Sequence, residues 1–474
     1  MKDKFLLIIT LFSLSMKLNA QERPNVVVFL VDDLRPVLGC YGNSIVKSPN
    51  IDALAKDGVK FEKAYVQQAI CAPSRMSILT GMRPENIGIY SLFTPLRTIH
   101  KEMMTMPHFF KENGYTTVSL GKVYHHANDD KENWDITYRA SGNPYVKLEN
   151  MALQKGENRG PAFENGDVTD EAYGDGQVSE NAIETLKKLK DKNFMMVVGL
   201  TKPHLPFCAP KKYWDLYNRN DFTVPLKEAP SNSAKNSLTN WGELRNYHGI
   251  PSQGLLDDET SKELIHGYYA SVSFMDAQVG KVMQSLKELD LRKNTIVVFM
   301  SDHGWKLGEY GAWCKHTNFE LDVNVPLIIS RETSYNKRKV NAESNALVEN
   351  ADIFPTLIDA CGFKVPHMDG KSILSVVDNP KMSFRKAAHS VYPRGKNTMG
   401  FTCTDGEYRY TEWWDKKNSK VIENELYICN QDYSKISVNL AEEAKYLKVV
   451  GRMKALLSEQ FPENKRSKYP QNDK

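Results

Sequence analysis

Apolar residues fall along this chain in short unbroken runs, and four of the runs end in polar clusters. Asn25–Val31 reads Asn-Val-Val-Val-Phe-Leu-Val and is followed by Asp32-Asp33. Residues 115–120 are followed by Gly121-Lys122 and then His125. Phe194–Leu200 leads into Thr201-Lys202-Pro203-His204, and 295–300 into Ser301-Asp302-His303-Gly304. Short runs without polar alternation suit strands buried on both faces. Between them the spacing turns helical, over 51–57, 181–190 and 268–289. The last of these places Val272, Met275, Val279, Val282, Met283 and Leu286 on one stripe. Strands alternating with helices predict a mainly parallel sheet covered on both faces. Ligands of such sheets bind beyond the carboxyl ends of the strands, so the four clusters are expected to meet at one edge.

Around residue 380 the pattern changes. Segments such as Tyr408-Arg-Tyr-Thr-Glu-Trp413 and Glu425-Leu-Tyr427 alternate, which predicts an antiparallel sheet, and 442–461 reads as a closing helix. The expected division is therefore a leader at 1–20, a large domain over 21–380 and a small α+β lobe over 381–474. The polar tail after Pro462 is expected to be loose. Stretches 140–176 and 216–259, rich in Gly and Asn, carry no element pattern. Loops of that length beside a site often form the walls of a substrate cleft.

Composition adds compartment rather than fold. The chain has 474 residues, 41% hydrophobic and 25% charged. That is globular, and long enough for a sizeable core and two lobes. Lys2 and Lys4 precede an apolar run from Phe5, and Leu18-Asn19-Ala20 matches a cleavage site. The leader reads as a secretory signal, too short to span a bilayer, and the mature chain is expected to begin near Gln21. No Cys follows Ala20 directly, which argues against a lipid anchor. A net charge of +4 gives no bulk signal for nucleic-acid binding. There are seven cysteines. With Cys71 set aside for chemistry, Cys403–Cys429 is the expected disulfide, since both lie on predicted strands of the small lobe.

The densest chemistry lies in Cys71-Ala72-Pro73-Ser74-Arg75, continued by Leu79-Thr80-Gly81. Pro suits the first turn of a helix and Gly the position past its end, so 73–80 is predicted helical with Cys71 at its mouth. Free amides and the dipole there suit an anion, and Arg75 adds a charged fork. A lone Cys is ordinarily a small buried hydrophobe or half of a disulfide. Here the surrounding pattern argues otherwise. It resembles the signature C-x-P-S-R-x-x-x-L-T-G of the sulfatase family. The resemblance implies that Cys71 is oxidised to formylglycine, whose hydrate attacks sulfur in a sulfate ester.

Asp32, Asp33 and Asp302 offer hard oxygens that select calcium or magnesium. Adjacent aspartates on an extended strand point to opposite faces, so one of Asp32 and Asp33 is expected in the turn just past it. The resemblance makes Asp32, Asp33, Cys71, Asp302 and His303 the ligands of one divalent ion, Ca2+ in most of the family. Many sulfatases have Asn at the position of His303. His at that place, with the stretch from Ser301 to Phe319, is similar to the iduronate-2-sulfatase-like subgroup. Lys122 and His125 match the family's G-K-x-x-H pattern, His204 matches K-P-H-x-P-F, and Lys315 follows the metal pair.

With Cys71, the resemblance assigns catalysis to Arg75, Lys122, His125, His204 and Lys315. Arg75 and Lys122 are expected on the sulfate oxygens. His204, assisted by Lys315, is expected to protonate the leaving alkoxide. His125 is expected to act on the formylglycine hydrate. Asp33 or Asp302 would orient or deprotonate the attacking hydroxyl, and Tyr392-Pro393-Arg394 would reach the site from the small lobe.

The fold implied is an alkaline-phosphatase-like α/β sandwich with a small C-terminal lobe. The function implied is that of an exported bacterial sulfatase, periplasmic or secreted. Its substrate would be a sulfated carbohydrate, for example a 2-O-sulfated sugar of ulvan or of a glycosaminoglycan. A formylglycine-generating or anaerobic maturase would be its partner in biosynthesis, with no nucleic acid and no membrane anchor. The rival readings are a phosphatase or phosphonate monoester hydrolase of the same superfamily, and a sulfated-glycan-binding protein that never matures. A zinc phosphatase would want more His ligands than His303 alone.

Overall fold

Every residue of β1 (Asn25–Val31) is buried, and its two alternations point into different cores. Val27, Phe29 and Val31 join one hydrophobic cluster, and Val26, Val28 and Leu30 the other. The two-sided burial read from its unbroken apolar run is thus realised. The computed structural model describes residues 23–126, 129–154, 159–239, 242–331, 341–430 and 432–467, and the expected leader at 1–20 lies outside them.

From β1 the chain passes through α1 (Pro49–Lys56), β2 (Val59–Tyr65), α2 (Cys71–Thr80), β3 (Thr116–Gly121) and β4 (Ile136–Tyr138). It continues through α3 (Gly174–Leu189), β5 (Phe194–Leu200), α4 (Asp258–Glu288), β6 (Thr295–Ser301), β7 (Asn324–Ser330), β8 (Ala342–Ser344) and β9 (Val348–Glu349). These strands form one sheet in the order β8-β2-β7-β6-β1-β5-β3-β4, with β9 continuing along β2. Only β7 runs against its neighbours, β6 and β2. α1, α3 and α4 cover one face through Ile51, Val178, Ala182, Val272 and Val279, while α2 covers the other through Ala72, Met76 and Ile78. Among the described residues no helix is long and apolar enough to cross a membrane.

Three backbone bonds continue the ladders past the strand ends and set the four polar clusters in one row. Asp32 N donates to Leu200 O at 3.1 Å, Asp302 N to Val31 O at 3.0 Å and Lys122 N to Gly199 O at 2.8 Å. The four strands expected in this sheet agree with the observed ones to within a residue. The helices depart further. α3 starts seven residues before 181, at Gly174, because Gly176 can lie against the Asp170 carbonyl, where a Cβ would come within 2.0 Å. α4 starts ten residues before 268, capped by Asp257, whose side chain accepts from Thr260 N. α2 begins at Cys71 itself rather than at Pro73, with Ile70 extended before it.

The small lobe is an antiparallel meander of β10 (Ala388–Arg394), β11 (Thr398–Thr404), β12 (Tyr408–Asp415) and β13 (Lys420–Ile428). α5 (Leu447–Gln460) packs Met453 and Leu457 onto Met399, Phe401 and Tyr410. Two expectations fail here. Cys403 and Cys429 are both free thiols. β12 separates their strands, since Cys403 stands opposite Tyr410 and Tyr410 opposite Leu426. Cys429 Sγ does reach β11, 3.2 Å from Thr404 Oγ1, but the adjacent Cys403 faces the other side of the sheet, its Sγ 3.3 Å from the Met453 carbonyl. The tail past Pro462 is not loose over its first turn: Glu463–Arg466 is helical and Arg466 is fully buried. Its Nη1 donates to Glu412 at 2.6 Å and its Nε to the Phe461 carbonyl at 2.8 Å.

The stretches without an expected pattern also carry short strands. Arg159–Pro161 pairs with Tyr247–His248, and Phe163–Gly166 with Phe207–Pro210. Their order comes from buried polar partners rather than periodicity. Glu164 accepts from Val146 N at 2.8 Å, Lys147 N at 3.1 Å and the Tyr173 hydroxyl at 2.7 Å.

Candidate active site

Asp32 and Asp33 leave β1 side by side and are both fully buried. Asp33 has φ 62, a left-handed conformation that a short polar side chain tolerates, and this turns its carboxylate to the same side as that of Asp32. The turn is pinned by the Tyr268 hydroxyl donating to Asp33 O at 2.8 Å and by Leu34 N donating to Ser301 Oγ at 3.0 Å. From β6, Asp302 and His303 enter the same space. Asp33 N donates to Asp302 Oδ1 at 3.3 Å, and His303 Nδ1 lies 3.1 Å from Asp33 Oδ1.

The start of α2 closes the cluster. Cys71 Sγ is 3.4 Å from Asp32 Oδ1, 3.3 Å from His303 Nε2 and 3.6 Å from Lys122 Nζ. One turn on, the Ser74 hydroxyl donates to the Asp302 carbonyl. Arg75 Nε donates to Asp302 Oδ2 at 2.7 Å, and its Nη1 donates to the carbonyls of Lys122 and Val123. Arg75 therefore clamps the ends of β3 and β6 to the helix. Only Nη2, buried without a hydrogen-bond partner and 3.7 Å from Asp32 Oδ1, remains for an anion. Lys122 Nζ donates to Asp32 Oδ2.

A second group lies beside the first. Lys315 Nζ is 3.0 Å from Asp33 Oδ1 and 2.9 Å from Glu243 Oε2. His204 Nε2 is 3.0 Å from Glu243 Oε1 and 3.8 Å from Asp33 Oδ2. The loop carrying His204 is fixed by Asp175, which accepts from the amides of Thr201 and Lys202 at 2.9 and 2.8 Å. His125 sits half-buried in the loop after β3, its ring edge-on to His126. Tyr392 does reach inward from the small lobe, with its hydroxyl 2.6 Å from His316 Nδ1. Arg394 instead turns to the Asn236 and Ser237 carbonyls and stacks on Tyr392.

Burial disfavours every charge here, and the neighbours decide which survive. It is outweighed at Asp32, where Lys122, His204, Arg75 and Lys315 hold the carboxyl well below the usual range. At Asp33 burial wins over Lys315 and His204, and the carboxyl rises to about 7. His303 moves the other way: against burial, Asp302, Cys71 and Asp33 push its imidazole up to about 10. Burial, then Lys122 and His126, pushes His125 down to about 3, so it stands neutral.

The four ligand atoms of Asp32, Cys71, Asp302 and His303 lie within 4.8 Å of one another, all buried. Asp33, expected with them, instead forms a second close group with His204 and Glu243, and meets the first through His303 Nδ1 at 3.1 Å. Three carboxylates so close attract positive charge. The carboxylates of Asp32 and Asp302 fit a hard divalent cation, whereas the Cys71 sulfur and the His303 imidazole are softer donors.

Residues 24–363 match the family described as Sulfatase. The chain belongs to the sulfatase family. Residues 308–463 also match the family described as N-sulphoglucosamine sulphohydrolase, C-terminal. Iduronate 2-sulfatase of Homo sapiens is 32% identical over 494 residues, covering 86% of this chain and 89% of that protein. A structure solved in complex with its substrate D-glucosamine-2-N,6-O-disulfate superposes with a TM-score of 0.77 at 22% identity, covering 94% of this chain and 99% of that one. A phosphonate monoester hydrolase from Silicibacter pomeroyi superposes with a TM-score of 0.76 at 19% identity, covering 94% and 96%. At those identities the two structures show the fold alone, which is the alkaline-phosphatase-like sandwich. As a sulfatase, the chain is a sulfuric ester hydrolase.

All the ligands and catalytic residues expected of this sulfatase come from the ends of β1, β3, β5 and β6, from α2 and from the segment after β6. Sequence reasoning missed Glu243 and His316. Glu243 stands in a stretch without periodicity, and nothing around it marks a lone acid as more than a surface charge. His316 directly follows Lys315 with φ 81, a turn invisible in the residue pattern.

Proposed function

We propose that this sulfatase hydrolyses a sulfate ester on a sugar, quite specifically a 2-O-sulfated unit of a sulfated glycan, with Cys71 matured to formylglycine. The observation that carries the reading is the position of Cys71. As the first residue of α2 it has its sulfur within 3.6 Å of Asp32, His303 and Lys122. In the matured chain the oxygens of an aldehyde hydrate take the place of that sulfur and supply the nucleophile. A calcium ion among Asp32, Asp33, Asp302 and His303 would offset charge on the sulfate oxygens.

The remaining roles belong to protein side chains. Lys122 and Nη2 of Arg75 bind sulfate oxygens. His204, with Lys315, delivers a proton to the departing sugar oxygen. Neutral His125 accepts the proton whose loss from the hydrate expels sulfate. The 2-O-sulfated sugar is supported by His303 and by the likeness to iduronate 2-sulfatase over 86% of the chain. The leader supports export to the periplasm, and maturation needs a formylglycine-generating or anaerobic maturase.

Two measurements test this. Intact mass after coexpression with a formylglycine-generating enzyme should fall by about 18 Da, as Cys chemistry requires for replacing the thiol by an aldehyde. On a panel of sulfated disaccharides from heparin, chondroitin and ulvan, free sulfate should appear from the 2-O-sulfated members. Faster turnover of phosphate or phosphonate esters on the same preparation would favour the rival hydrolase. An unshifted mass with tight glycan binding would favour the non-catalytic reading.

A further inference from the structure

Glu243 connects the two groups that face the leaving oxygen, and no motif announces it. Its side chain is 10% exposed. One carboxylate oxygen meets His204 Nε2 at 3.0 Å and the other meets Lys315 Nζ at 2.9 Å. Each partner has its own second anchor. His204 Nδ1 lies 2.5 Å from the Leu205 carbonyl, which can only accept, so Nδ1 carries a proton and Nε2 is the edge turned inward. Lys315 Nζ meets Asp33 at 3.0 Å and lies 4.8 Å from the centre of the Trp305 ring.

Without Glu243, His204 and Lys315 would have Asp33 as their one common acid and would both be drawn toward it. With Glu243 present they are held side by side, at an angle set by two carboxylate oxygens of fixed spacing. Burial works against a charge on Glu243, yet Lys315, His204 and His316 keep it ionised, well below the ordinary carboxylate range. A donor already aimed at the reacting atom spares reorganisation during the reaction.

We propose that Glu243 is a positioning residue that aims Nε2 of His204 and Nζ of Lys315 at the bridging oxygen of the sulfate ester. This rests on the reading of His204 as the leaving-group acid. The donor form is the imidazolium: when the S–O bond breaks, its electron pair stays on the sugar oxygen, the Nε2 proton passes to it, and His204 is left neutral with its Nδ1 proton. Glu243 gives up no proton and binds no substrate atom.

The test compares the matured wild type with Glu243→Gln, Glu243→Asp, His204→Ala and the Glu243→Gln/His204→Ala double variant. The substrates are a heparin disaccharide bearing a uronate 2-O-sulfate, and 4-nitrophenyl sulfate, whose leaving group departs without a proton. Glu243→Gln should lower kcat on the disaccharide by roughly 10–100-fold, with KM little changed, and on the aryl ester by less than about 3-fold. Glu243→Asp should recover part of the loss. In the His204→Ala background, Glu243→Gln should cost little more. Should Glu243→Gln melt well below the wild type, the same ratio is judged on Glu243→Asp. Positioning is overturned if the Glu243 variants lose equally on both esters while His204→Ala discriminates between them, if they lose nothing, or if the double variant is fully additive. Equal losses on both esters for His204→Ala would instead remove the acid reading, and the positioning role with it.

Discussion

A single dihedral gathers much of this site. Asp32 and Asp33 are neighbours, and on a continuing strand their carboxylates would face opposite sides of the sheet. The left-handed turn at Asp33 brings both to one side. Arg75 shows how a residue can carry a structural part beside its expected one. It was expected on the sulfate, but two of its three nitrogens are bonded to Asp302 and to the end of β3. At this scale the sharpest prediction concerns Cys71. Its side chain is small and packed at the helix start, so Cys71→Ala should melt within a few degrees of the wild type. The same variant should release no sulfate from any ester, by ion chromatography. Turnover near the wild-type rate would remove Cys71 from the reaction.

Among the elements, the contact between β3 and β5 matters most. A Cβ on Gly199 would come within 2.1 Å of the Lys122 carbonyl, and one on Gly121 within 2.1 Å of the Gly199 carbonyl. The two strand ends thus meet backbone to backbone, and Lys122 is placed on Asp32 by that closeness. Gly199→Ala should cost about 1–3 kcal/mol in urea unfolding, as overpacking does. It should also cut turnover by displacing Lys122. Gly451→Ala is the matching control: it lies on α5 with nothing within 4 Å of its Cβ, and should stabilise by about 0.5–1 kcal/mol. Equal behaviour of the two variants would contradict the steric account.

The legible elements share a cause. β1, β5 and β6 are buried on both faces, so their runs are apolar throughout, and the chemistry at their ends could be read from the same lines of sequence. The first turns of α3 and α4 were not legible, because tertiary contacts at Gly176 and a cap at Asp257 supply what periodicity lacks there. Glu243 was hidden for a related reason: its partners lie 39 and 72 positions away in the chain. The disulfide expectation failed because successive residues of a strand face opposite sides: the side of β11 that Cys429 meets carries Thr404, while Cys403 turns to α5.

At the scale of the whole molecule, β1 and β6 carry the proposed cation ligands at the sheet's carboxyl edge, and α2 brings Cys71 to them. Removing the ion should therefore affect stability as well as turnover. Dialysis against EDTA should abolish sulfate release and lower the melting temperature, and calcium should restore both. The midpoint should rise with the logarithm of calcium concentration, as expected for a ligand bound only by the folded state. Full activity after exhaustive chelation would count against the cation.

The enclosure of Cys71 has a further consequence. With 3% of its surface exposed, its thiol is sealed once β1, β6 and α2 have come together. Were Cys71 matured as proposed, a modifying enzyme would have to reach it before that enclosure. Its window therefore opens at synthesis and shuts at collapse, so a chain that folds first keeps an unreactive sulfur, and later addition of the enzyme comes too late.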